Sequence, residues 1–458
     1  MLIVVMMGGG SRSDLASLPF LRAASVLFAT AALAMAPMSA SRDVRGALFL
    51  LALLAIWMAA QLVPLPPDFW ASLPLRDKIY RIDQLLGEGD RWRPISMTPS
   101  LTVNSLLALT VPVAAIILAA ATPATQKIRI WWLIWAFGVL SSLFGLMQLA
   151  TGAGSAVYLY RITNEGAIVG LFANRNHFAV LLSIAILAAG WLISYELMRR
   201  NRRIAVVGLL SGSLLLFLFL VLAVGSRFGL IGGFISAAAT LVIVRRRADR
   251  RPAALNQPGR RSDATTPSNR VMRAAFGILP VVAMAAIGAL FYASDKENAV
   301  TRLVDGSGAP EMRVAAFSTV ADLAQTQWLL GSGFGSFARV FQIVEPDSLL
   351  QPVYLNQAHN DWLQVPIEGG LPAILIMGFA IIWTVRRLAL LIFRHARSGD
   401  SAVLTEALFL AVAFICLALG GAVEFPIRSP SMMMVVALLV VLLIRCGQSR
   451  PDEAASVL

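Results

Sequence analysis

Apolar runs close to 20 residues long recur along this chain, separated by short polar connections and by two long ones. A helix of that length crosses the hydrocarbon core of a bilayer. A helix also satisfies its own backbone hydrogen bonds, which lipid requires. The pattern predicts an all-α polytopic membrane protein of about 11–12 spans. We read eleven of them at 20–38, 46–64, 103–122, 129–150, 173–197, 204–224, 228–244, 274–293, 371–393, 403–421 and 430–445. A half-membrane segment in a loop would supply the twelfth. The first run carries Arg22 and is the weakest; no basic region precedes the apolar Met1–Met7, so that run serves as an uncleaved insertion signal. Three regions follow: an N-terminal bundle (1–293), a large polar loop (294–370) and the C-terminal helices with their tail (371–458).

Composition agrees: 58% of residues are hydrophobic, 14% charged, and the mean hydropathy is +0.75, against about 25% charged in soluble domains. The net charge of +13 raises nucleic acid as a partner, but the distribution argues against it. Most of the 38 basic residues lie in one alternating set of connections, which the positive-inside rule makes cytoplasmic. The loops 65–102 and 294–370 are then extracytoplasmic. The segment 245–273, with Arg245-Arg246-Arg247 and Arg260-Arg261, reads as a disordered cytoplasmic linker facing anionic lipid. Two cysteines within or at the end of apolar runs and three scattered histidines make neither a disulfide framework nor a metal centre.

The loop 65–102, opening on Pro64-Leu65-Pro66-Pro67 and carrying Trp70 and Trp92, is expected to lie along the membrane interface. The loop 294–370 holds more. Pro310 suits the first position of a helix in which Met312, Ala316, Val320 and Leu323 recur at helical spacing. Gly331-Ser332-Gly333-Phe334-Gly335 ends that helix in a tight turn against the membrane. It lacks both the dinucleotide spacing and a phosphate-loop lysine. Pro366 limits a second helix beyond His359 to a short one.

Candidate chemistry gathers on the extracytoplasmic face: Asn174-Arg175-Asn176-His177, Ser226-Arg227, Arg302, Glu311 with Arg313, and His359 with Asn360 and Asp361. Each arginine taken singly is an interfacial anchor or a phosphate ligand. Several on one face suit a phosphate or pyrophosphate, which guanidinium binds bidentately. Arg313 sits where the helix dipole disfavours a cation, so either Glu311 or a bound anion balances it. His359 is either an interfacial histidine bonded to a carbonyl or a base near neutral pH. Its partner could be Asn360, Asp361, Glu368 or a residue of another loop.

Gly170-Leu171-Phe172-Ala173-Asn174-Arg175-Asn176-His177-Phe178-Ala179, Gly225-Ser226-Arg227-Phe228-Gly229, Met312-Arg313, the glycine run and His359-Asn360-Asp361-Trp362-Leu363-Gln364 stand in the order that resembles the O-antigen ligase and polymerase superfamily, over residues 46–445. The resemblance implies a metal-independent, cofactor-free, inverting glycosyltransferase in the bacterial inner membrane. It would take a glycan from undecaprenyl diphosphate at the periplasmic face. A ligase passes it to lipid A–core oligosaccharide, a polymerase to another carrier-linked repeat unit. Carried over by motif, Arg227 and Arg313 bind the diphosphate, and His359 activates or positions the acceptor hydroxyl. Asn174, Arg175, Asn176, Asn360 and Arg302 join as substrate-binding residues. Relatives commonly carry Asn-Pro-Asn where this chain has Asn174-Arg175-Asn176, which removes a helix-start proline and adds a cation. A transporter or flippase for a lipid-linked or anionic solute is the rival class. It predicts mid-membrane charges and an internal repeat, neither of which the sequence shows clearly.

Overall fold

The computed structural model describes residues 1–35, 42–199, 201–249, 312–350 and 354–448. The protein is an all-α polytopic membrane protein. Eight described helices are long and apolar enough to cross a membrane: Ser17–Met35, Pro99–Ala121, Ala124–Thr151, Arg175–Met198, Ile204–Ala223, Arg227–Ala248, Asp361–Ser398 and Ser401–Val423. Arg45–Ala60 and Pro430–Arg445 are apolar but shorter. The run expected at 274–293 lies outside the described residues. So does most of the 245–273 segment, although the preceding helix continues through Arg245 to Asp249.

The described residues form two compact units. In the unit built on 124–307, 390–417 and 445–458, the Arg175–Met198 helix is apolar on every face and almost wholly buried, as expected of a helix surrounded by others. Small residues let its neighbours approach closely. A Cβ on Gly229 would meet Ala179, one on Gly232 would meet Ser183, and one on Gly190 would meet Thr240. These three pairs keep one register, so the Arg175 and Arg227 helices run parallel with their starts level.

The other unit comprises 1–123, 308–389 and 418–444. Its loop 65–102 folds on itself. Pro64–Leu65 pairs antiparallel with Arg93–Pro94, Trp70 is buried and donates its indole N–H to the Pro94 carbonyl at 2.8 Å, and the Arg93 guanidinium lies over the Trp70 ring. Arg76, 1% exposed, donates to the Pro74, Ile95 and Gly331 carbonyls and to Gln327 Oε1. Burial pulls its guanidinium down to about 10. The interior of the loop is folded because buried carbonyls need donors, and Arg76 supplies several at once.

The glycine run turns closely against other protein segments. Gly331, Gly333 and Gly335 have φ of 74°, 101° and 85°, a region that costs other residues a Cβ clash. A Cβ on Gly331 would strike the backbone of Glu368 and Gly370, and one on Gly333 the Cα of Ser96. Gln61 locks this crossing, donating to the Leu330 and Glu368 carbonyls and accepting from the Phe334 N–H. Before the run, the expected helix is present as Met312–Ala315 and Phe317–Gln327. A helix at Phe337–Val344 follows it, and the two elements bury Val320, Leu323, Phe337, Val340 and Phe341 together with Ile367.

Candidate active site

His359 lies just before the Asp361–Ser398 helix, whose start is set by a cap. Asn360 Oδ1 accepts from the Trp362 and Leu363 N–H groups at 3.0 and 3.3 Å, as an N-cap does. The short helix expected here runs on, and Pro366 does not end it. The interruption is at Gly370, with φ 59° and ψ −161°, where the chain meets the backbone of Leu329–Gly331. Position 370 needs glycine for that approach, and the glycine run supplies the other half of it.

Around this helix start the unit concentrates its buried charge. Glu424, 1% exposed, closes the Ser401–Val423 helix. Its Oε1 accepts from Arg313 Nη1 at 2.5 Å, and its Oε2 lies 3.2 Å from His359 Nδ1. The Phe425 ring meets the imidazole edge-on at 4.9 Å between centroids. Four residues on, Arg428 donates to Asp361 Oδ1 at 3.0 Å and to Glu368 Oε2 at 2.9 Å. Burial alone would lower the Arg428 guanidinium, but the charges of Glu368 and Asp361 outweigh it and raise it above its usual value. Glu368 Oε1 accepts in turn from Gln364 Nε2 and from the Phe337 N–H. Gln364 also bonds Gln357 through Nε2 and receives the Ala358 N–H on Oε1. Every residue from Gln357 to Asp361 except His359 is thus tied back to its own helix or to Arg428, and His359 is tied to Glu424.

Of the expected partners of His359, Asn360 is a cap and Asp361 and Glu368 bind Arg428. The carboxylate that faces the ring is Glu424, one that the sequence reading did not name. Its signal was the acidic and basic pair of Glu424-Phe425-Pro426-Ile427-Arg428 between two apolar helices. Glu424 likewise answers the charge of Arg313; Glu311 lies outside the described residues, as does Arg302.

The remaining candidates belong to the other unit. Asn174 caps the Arg175–Met198 helix, its Oδ1 accepting from the Asn176 N–H at 2.8 Å. Arg175 takes the first helical position, and its N–H donates to Asn164 Oδ1 at 3.0 Å, a bond that a proline there could not make. His177 is buried against Phe172. Ser226 Oγ accepts from the Gly229 N–H at 3.0 Å and caps the next helix. Arg227 opens that helix and is exposed. The common register of the two helices brings Arg227 level with His177, next to Asn174-Arg175-Asn176. Two helix starts and two guanidinium groups thus share one end, an arrangement that favours an anion. Among the described residues, no group of three or more His, Cys, Asp or Glu is placed to hold a metal ion.

Residues 212–378 match the family model described as O-antigen ligase. This match supports the O-antigen ligase and polymerase superfamily. Arg227, Arg313 and His359 all fall inside the matched segment; Glu424, Arg428 and Asn174–Asn176 fall outside it. Members of this family are glycosyltransferase-like enzymes that use lipid-linked glycans in the membrane. Among curated proteins, none matches the chain.

Proposed function

We propose that this protein transfers a glycan from undecaprenyl diphosphate to lipid A–core oligosaccharide or a related acceptor, at the periplasmic face of the inner membrane, in lipopolysaccharide or exopolysaccharide biosynthesis. The observation that carries the reading is the pairing of Arg313 and His359 on one buried carboxylate within a chain of this family. A cation for the leaving diphosphate and a base for the incoming hydroxyl are what direct displacement at a sugar carbon requires. Arg313 engages Glu424 through one terminal nitrogen and has further N–H groups for phosphate oxygens. In this proposal Arg227, Arg175, Asn174 and Asn176 are donor-binding residues by their family motifs, and Arg302 and Asn360 are further substrate contacts. Displacement from the face opposite the diphosphate inverts the anomeric centre, with cationic side chains rather than a metal stabilising the leaving group.

The test uses His359→Ala, Arg227→Ala and Arg313→Ala in a deletion strain, with insertion of each variant verified. Each is expected to lose long surface glycan and to accumulate undecaprenyl-diphosphate-linked glycan, with transfer by purified protein reduced by about 10²- to 10⁴-fold for His359→Ala. Normal surface glycan in all three variants sinks the proposal. A deletion strain that still carries a single repeat unit on lipid A–core assigns the chain to the polymerases instead.

A further inference from the structure

The side of the imidazole that the carboxylate occupies has a chemical consequence. An ionised carboxylate only accepts hydrogen bonds, so the ring nitrogen facing Glu424 Oε2, Nδ1, has to carry the proton. The lone pair then resides on Nε2. His359 also stands at φ 49°, a left-handed conformation that brings the Cβ of a non-glycine residue too close to its own backbone. Such strain persists where the surroundings hold it. Here the Asn360 cap follows directly, Phe425 closes one edge of the ring, and Glu424 anchors Nδ1. Glu424 is itself fixed, buried at the end of its helix and bridged on Oε1 to Arg313. Both carboxylates of the Arg428 cluster, Asp361 and Glu368, are taken up by Arg428.

We infer that Glu424 is a positioning residue that sets His359 in the Nδ1–H tautomer, aims Nε2 at the acceptor hydroxyl and stabilises the imidazolium formed during transfer. This rests on the function proposed above. In the step, the acceptor hydroxyl oxygen forms a bond to the anomeric carbon while its proton moves to His359 Nε2. The bond from that carbon to the diphosphate oxygen breaks, and the diphosphate leaves with the electron pair. The imidazolium, held by Glu424, later returns its proton to water. Arg313, sharing the same carboxylate, ties the leaving-group site to the base.

The experiment uses the full-length protein, labelled with ¹⁵N-histidine and reconstituted in lipid nanodiscs at pH 8. The His359 signals are assigned by subtracting the spectrum of His359→Ala. The wild type is expected to show a protonated Nδ1 and an unprotonated Nε2. Glu424→Gln should lose that fixed tautomer, and Glu424→Asp should keep it. In a transfer assay with undecaprenyl-diphosphate glycan, Glu424→Gln should lower kcat by about 10²-fold or more, and Glu424→Asp should recover part of the loss. A wild-type His359 protonated on Nε2 overturns the inference even if Glu424→Gln fails to fold. An unchanged kcat in Glu424→Gln overturns it while leaving the glycosyltransferase reading standing. A wild-type protein with the expected tautomer but no transfer overturns that reading and the catalytic role, and leaves the histidine–carboxylate pair as a structural fact.

Discussion

The polar end around Glu424 and the polar end around Arg175 and Arg227 are built on opposite principles. At the first, charge meets charge: Arg313 and His359 share Glu424, and Arg428 bridges Asp361 and Glu368. At the second, Asn174, Asn164 and Ser226 cap backbone N–H groups at the helix starts, and Arg227 faces outward. A buried ion pair is costly to disrupt because the surviving charge is stranded, so the first end is set before any substrate arrives. An exposed cation at a helix start is poised to take its counter-ion from outside. The contrast suits a base that needs one orientation and a lipid-linked anion that has to enter and leave.

The largest expected effect that would break this comparison is on stability. Arg428→Ala strands Asp361 and Glu368 and should destabilise the folded protein by about 3–5 kcal/mol. Arg227→Ala should fall within about 0.5 kcal/mol of wild type while still losing transfer. Thermal unfolding of the two variants in the same detergent decides it, and equal losses would remove the distinction. A smaller effect sharpens the second end. Asn174→Ala removes a cap and should cost about 1 kcal/mol, read as faster amide exchange over residues 175–178 with no change at 359–364.

The smallest concerns the folded loop that supports the glycine run. Arg93 bonds both oxygens of Asp83 at 2.6 Å, and that hydrogen bonding, followed by the attraction of the two charges, holds the Asp83 carboxyl below its usual value. A depressed carboxylate stabilises the fold above the pKa it has when unfolded and loses that contribution as pH falls through the depressed value. Asp83 is covered while Arg93 remains partly open to solvent, so the pair contributes up to about 1 kcal/mol. Proteolysis of residues 77–94 should therefore rise modestly below about pH 4, and Asp83→Asn should abolish the pH dependence.

Much of the fold was legible because hydrophobic run length answers to a single constraint, the thickness of a bilayer. The helix Arg175–Met198 was expected at 173–197, and Ile204–Ala223 at 204–224. The loops were less legible. Trp70 looks like an interfacial residue in sequence, yet it and Arg76 are buried because carbonyls of Pro74, Pro94, Ile95 and Gly331 converge on them. No local pattern encodes that convergence. Pro366 reads as a helix limit, yet the break comes at Gly370, where another segment's backbone requires the missing Cβ.

The stretch from His359 to Gln364 shows the same division. Residue type alone marked His359 as a titratable group beside a capping asparagine, and motif order placed it with Arg227 and Arg313 in one family. Which carboxylate faces the ring was decided in three dimensions. Glu424 is separated from His359 by an entire apolar hairpin of two helices, and Asp361 and Glu368, nearer in sequence, are occupied by Arg428. Sequence determines spans and caps because these depend on neighbours a few residues apart. The pairing of buried charges depends on which helix ends meet, and only the packed chain settles that.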